Sequence, residues 1–149
     1  MKVLISIAFF LLSPELSFSQ IQKVEVPKYI SVGKFRMGFR TFSEMFYSVD
    51  DKNDTTFHWQ YNNAEYETID SYEYIHFASD GNAFEELYNI LKDCFDKEVG
   101  YQTSFKLGED LVIVKLQKSW GEKYLFISPP TGYFTLPKPI LDKLFGKKK

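Results

Sequence analysis

The chain contains two histidines, His58 and His76, both inside the ring-rich stretch TTFHWQYNNAEYETIDSYEYIHFAS from Thr55 to Ser79. Imidazole is the side chain whose ordinary pKa lies closest to neutrality, so a histidine pair can relay a proton or ligate a metal. A metal site needs three or four donors, and no spacing around either histidine supplies the rest. The pair therefore reads as two strand residues on a partly wet sheet face, with no metal and no cofactor assigned.

Cys94 is the only cysteine. A thiolate beside a histidine is a nucleophile, but Cys94 shares an apolar stripe with Leu91 and Phe95, where cysteine behaves as a small hydrophobe. The acidic run Asp50, Asp51, Asn53, Asp54 offers oxygens to a hard cation. Counted from Asp51, however, the glycine position of a calcium loop is Thr56 and its closing glutamate position is Asn62, so the run reads as a solvated turn. It also contains the acceptor triplet Asn53-Asp54-Thr55, which is glycosylated only where the source performs that chemistry. Glu65 with Glu67, and Glu85 with Glu86, lie in polar segments and have nothing to mark them as a glycosidase acid and base. The chain has no Gly-x-Ser-x-Gly, His-Glu-x-x-His, Cys-x-x-Cys or phosphate-binding loop.

With no catalytic motif, the elements that position the rings become the guide. In TTFHWQY, strand alternation places Phe57, Trp59 and Tyr61 on one side and His58 and Gln60 on the other. In SYEYIHFA, Ile75 and Phe77 are the core pair, so Tyr72, Tyr74 and His76 face the opposite way. If these strands share a sheet, one face is core and the other carries His58, Gln60, Tyr72, Tyr74 and His76. Tyrosine and histidine have apolar bodies and polar tips, so such a face can stay wet and still bind.

The rest of the chain frames that pair of strands. KYISVGKFRMGFRTF alternates as one strand, with Gly33 and Gly38 as bulges or close backbone approaches. MFYSV, the DDKND turn and TTFHWQY form a hairpin. Phe84, Leu87, Tyr88, Leu91, Cys94 and Phe95 recur at helical spacing and predict a helix over about 83–97, with Asn82 and Glu85 as a capping box and Gly100 as the stop. YQTSFKL and LVIVKLQKS are joined by a tight turn at Gly108-Glu109. YLFIS, the PPTG turn and YFTL follow, and PKPILDKLFGKKK predicts a short last helix over about 137–145 with Gly146 as its stop. LVIVKL is apolar on both sides, as a strand covered on both faces would be, by the last helix or by a second subunit. YEYIHFAS leading to FEELYNILKDCF faintly echoes KYLFISPP leading to PKPILDKLF, a weak sign of an internal ββα duplication. Strands, helix, strands, helix with hairpin-length links predict an α+β fold: a mostly antiparallel sheet with both helices packed on one face.

The bulk numbers narrow the class of function. The chain has 149 residues and a formal net charge of −2. A balanced, slightly acidic chain lacks the basic footprint of a nucleic-acid binder, and the terminal lysines 147 to 149 read as a solvated tail at the carbonyl end of the last helix. The opening MKVLISIAFFLLSPELSFSQ has one lysine, an apolar run from Val3 to Leu12, and small residues at Ser17 and Ser19, the layout of a signal peptide cleaved after Ser19. The run is too short to span a bilayer. Residues 20–149 then form one globular domain, secreted or periplasmic, and too poor in cysteine for an internal disulfide. The expectation is a non-catalytic module that binds a protein or another extracytoplasmic ligand. The alternatives are a small exported hydrolase without a recognisable motif and a tyrosine face that closes a homodimer.

Overall fold

The computed structural model describes residues 27–148. The signal-peptide expectation, residues 1–19, and Lys149 lie outside them. The chain runs β1 (Tyr29–Met37), β2 (Arg40–Val49), β3 (Thr55–Asn62), β4 (Tyr72–Ala78), a 3-10 turn (Asp80–Asn82), α1 (Ala83–Cys94), β5 (Gln102–Leu107), β6 (Asp110–Ser119), β7 (Glu122–Ser128), β8 (Phe134–Pro137) and α2 (Lys138–Leu144). The fold is α+β, with strands all antiparallel, but the strands form two four-stranded sheets, β1-β2-β3-β4 and β5-β6-β7-β8. Each sheet is a meander because its strands follow one another through links too short for a crossover. The helix after β4 separates the two.

Each half therefore runs through four strands and then a helix. The faint sequence echo set YEYIHFAS against KYLFIS, which is β7. By position in the unit, the counterpart of β4 is β8.

The inner faces of both sheets and the apolar sides of both helices form one continuous core. The first sheet contributes Met45, Trp59, Tyr61, Ile75 and Phe77, and the second contributes Val112, Val114, Leu116, Leu125, Ile127, Phe134 and Leu136. Stacked and edge-on rings tie the layers together. Tyr61 stacks on Phe134 at 4.6 Å and Trp59 meets the same ring edge-on at 5.2 Å, joining the sheets. Phe84 of α1 stacks on Phe57 at 4.5 Å and lies 5.0 Å from Phe145. Such pairs contribute about 0.5–1.5 kcal/mol each beyond the area they bury.

Several local expectations are corrected. KYISVGKFRMGFRTF is not one strand: Gly38, at φ 60°, and Phe39 make the two-residue turn between β1 and β2, a position that favours glycine. Gly33 is at a bulge, with a register shift between Ser31 and Gly33. α1 ends at Cys94, short of 97, and no capping box forms, because Asn82 takes a left-handed backbone conformation and its side chain makes no capping hydrogen bond. The outer side chains of β6, Leu111 and Ile113, remain exposed because α2 lies in the core rather than over them.

α2 ends as its sequence dictates. Gly146 sits at φ 66°, and the amides of Lys147 and Gly146 bond back to the carbonyls of Asp142 (2.8 Å) and Lys143 (3.2 Å), satisfying orphan carbonyls of the last turn. Lys147 also pairs with Glu85 of α1, and the Tyr88 hydroxyl donates to Asp142 at 2.8 Å, so the two helices are linked.

Candidate functional site

Antiparallel register arranges the outer face of the first sheet in rows. One row is Ser31, Phe46, His58 and His76, taken across β1 to β4. The row beneath is Tyr29, Ser48, Thr56 and Ala78, and the row above is Lys34, Glu44, Gln60 and Tyr74. Seven of these side chains, Tyr29, Ser31, Glu44, Phe46, His58, Tyr74 and His76, line an open cleft of about 540 Å³. That size is within the usual range for small-molecule sites, about 300–1,000 Å³.

The two histidines touch. Their Nδ1 atoms are 2.7 Å apart, and Nε2 of His58 is 2.7 Å from Ser48 Oγ. One Nδ1 must donate and the other accept, so a neutral pair fits this geometry and a doubly protonated pair does not. If Ser48 donates to Nε2, His58 carries its proton on Nδ1 and passes the chain on to His76. Burial, then the charge of His76, hold the His58 pKa below the ordinary 6.5.

A histidine whose pKa is depressed by folding binds its proton more readily in the unfolded chain. Its contribution to stability is complete above pH about 6.5, falls as the pH drops from there through the folded-state pKa, and is level below it. The urea midpoint is therefore expected to fall on acidification from pH 7 to pH 5. His76→Asn should flatten that slope without abolishing it, because burial is the larger cause. An NMR titration that places His58 above 6.5 would contradict this.

The rings stand around Phe46. Phe46 stacks on His58 at 5.1 Å and 18°, while Tyr29 and Tyr74 stand nearly perpendicular to it, at 89° and 80° with centroids 5.5 and 6.5 Å away. Tyr74 runs parallel to His76 at 6.0 Å. Glu44 closes one side: Ser31 Oγ donates to its Oε1 at 3.0 Å, and Lys34 pairs with its Oε2 at 2.6 Å.

Of the five residues expected on this face, His58, Tyr74 and His76 line the cleft. Gln60 and Tyr72 lie on the same side, in register with Tyr74 and Asn62, outside the lining. The sequence reading missed Tyr29, Ser31, Glu44, Phe46 and Ser48. Alternation in SEMFYSV, which opposes Ser43, Met45 and Tyr47 to Glu44, Phe46 and Ser48, carried the signal for the last three.

The other candidates sit elsewhere. Asp50 Oδ1 accepts the amides of Lys52 and Asp54 at 2.9 and 2.8 Å, so that carboxylate organises its own turn. Among the described residues, no group of three or more His, Cys, Asp or Glu side chains is placed to hold a metal, and no helix is long and apolar enough to cross a membrane. Cys94 is buried in the core, and burial pushes its thiol pKa up. Labelling of the native protein by a thiol reagent is expected to be at least about a hundredfold slower than in denaturant, since only the exposed thiolate reacts. Comparable rates would show that Cys94 is open to solvent.

Fold and site together define a two-sheet α+β protein with a ring-lined cleft on the outer face of its first sheet. No protein-family model, curated protein or solved structure matches the chain.

Proposed function

We propose that the chain is an exported, non-catalytic binding module whose ligand seats in the cleft on the outer face of the first sheet. The observation that carries this reading is the convergence of side chains from all four strands on one open volume. Exposed rings and hydrogen-bonding groups lie there side by side, which is how sites for small ligands and for single side chains of a partner are built. Export rests on the layout of the N-terminal residues alone.

Two experiments test the reading. A fragment and metabolite screen on isotopically labelled protein should gather its hits on the signals of His58, Tyr74 and His76. Replacing Tyr72, Tyr74 and His76 together by alanine should abolish those hits with the fold intact, since all three project outward. Hits that cluster on another face would overturn the assignment, and a change of mass in solution on triple substitution would make the face a dimer interface instead.

One observation favours a second reading, a small hydrolase. Ser48, His58 and His76 are linked by two contacts of 2.7 Å, the geometry of a nucleophile, its base and an orienting group. Against it, β2 is paired on both sides, so its amides are engaged in the ladders rather than free to form an oxyanion hole. Hydrolysis of p-nitrophenyl acetate that disappears with Ser48→Ala would establish the enzyme; unchanged background hydrolysis would remove it.

A further inference from the structure

We infer that the cleft is built for an organic cation, an alkylated ammonium group held in the corner formed by Phe46, Tyr29 and Tyr74. The inference rests on the binding reading above and specifies its ligand class.

Three features carry it. First, the rings meet at right angles rather than lying as a flat platform. Tyr29 is 55% and Tyr74 45% exposed, and both line the same cleft as Phe46, each nearly perpendicular to its ring. All three rings line the one cleft, with the Tyr29 and Tyr74 centroids 5.5 and 6.5 Å from that of Phe46, so a guest seated against Phe46 has further rings close to the ~6 Å reach of a cation–π contact. Aromatic rings carry negative potential on their faces, and exposed rings set at right angles around one volume offer a diffuse positive charge more than they offer a neutral guest.

Second, the charged groups are compatible with that guest. Lys34 and Tyr29 face the cleft region from β1, Glu44 from β2, His58 from β3, and Tyr74 and His76 from β4. Glu44 is the one carboxylate among them. It is shared with Lys34, so its attraction for a guest is partial and the rings must supply the rest. A compact, strongly hydrated ammonium would have to displace Lys34, whereas an alkylated one gains from the rings without doing so.

Third, the histidine row sets a condition. While His58 and His76 are both neutral, one Nδ1–H donating to the other Nδ1, the row is uncharged behind Phe46. Each proton added to the pair places positive charge against the guest, so binding must weaken on acidification. A site for an anion would behave in the opposite way.

The test uses choline and its uncharged carbon isostere, 3,3-dimethyl-1-butanol, titrated into the full labelled chain while the ring signals of Tyr29, His58, Tyr74 and His76 are followed. Choline should shift these signals saturably, and the isostere should bind about tenfold more weakly. Choline affinity should fall severalfold between pH 8 and pH 5, and Tyr74→Leu should weaken it about threefold or more. Tyr74 lies on an edge strand and outside the core, so the variant should fold, and an unchanged thermal midpoint checks that. Equal binding of choline and isostere, or choline binding that survives both Tyr74→Leu and Phe46→Leu, would overturn the inference. If a neutral sugar such as methyl α-glucoside moved the same rings and choline moved none, the cation assignment would fall and the cleft would stand as a site. If screen hits gathered elsewhere and neither probe moved these rings, both readings would fall.

Discussion

Gly33→Ala is expected to destabilise the protein by about 3 kcal/mol. A Cβ at residue 33 would lie 2.2 Å from the carbonyl oxygen of Lys143 and 2.4 Å from that of Leu144. Both are backbone atoms at the end of α2, so nothing nearby can swing aside. Either the bulge in β1 or the helix must move. Moving the helix pulls Leu141, Leu144 and Phe145 from the core, where each is almost fully buried. Gly38→Ala is the contrasting variant: its φ is 60°, but a Cβ there has nothing within 4 Å. That variant carries backbone strain alone and should cost about 1 kcal/mol. Urea midpoints of the two variants separate close approach from conformational strain. Equal effects would mean that α2 does not seat on Gly33.

Trp59→Ala should cost about 4 kcal/mol. Trp59 is fully buried where three elements meet, with Phe134 of β8 and Phe145 beyond α2 edge-on to its ring. Removing the indole opens a cavity beneath the cleft sheet and also takes a hydrogen-bond donor from a buried hydroxyl. The Trp59 Nε1–H donates to Ser43 Oγ at 2.8 Å, and that hydroxyl donates to the Gln60 carbonyl at 3.1 Å. Ser43→Ala keeps the ring but leaves a buried N–H without its acceptor, a loss of about 1–3 kcal/mol. Trp59→Phe in the Ser43→Ala background removes both members of the bond. Its cost should be less than the sum of the single changes, because the coupled pair is counted twice in that sum. Strict additivity in chemical denaturation would show that the hydrogen bond is absent in solution.

Alternation made the burial of the first sheet legible. Phe57, Trp59, Tyr61, Ile75 and Phe77 stand on one side of β3 and β4 because consecutive side chains must oppose each other. Helical spacing did the same for α1 and α2. What alternation does not encode is where a chain of apolar and polar residues turns. Met37, Gly38, Phe39 and Arg40 continue the period of two through a turn, so β1 and β2 read as a single strand. It is also silent on which strands share a sheet: every link within β1 to β4 and within β5 to β8 suits a meander, and only the helix between them interrupts the pairing. For the site, position along a strand depends on register. His58 meets His76 because the β3–β4 pairing puts them opposite, whereas Gln60 is set opposite Tyr74 and Tyr72 opposite Asn62. Tyr29 and Ser31 could not be assigned to the face from spacing, because the bulge before Gly33 changes the phase of β1.

The seat of α2 on Gly33 also bears on the order in which the molecule can assemble. Among the described elements the first sheet precedes the second sheet and both helices, yet one of the surfaces that closes its core, Leu141 to Phe145, follows all eight strands. Domains commonly fold as units while synthesis proceeds. Here the first four strands would wait with Met45 and Trp59 uncovered on that side until α2 has left the ribosome. A stalled chain ending before Pro137 should accordingly remain sensitive to protease through β1 to β3, and protection should arrive in one step with the final helix.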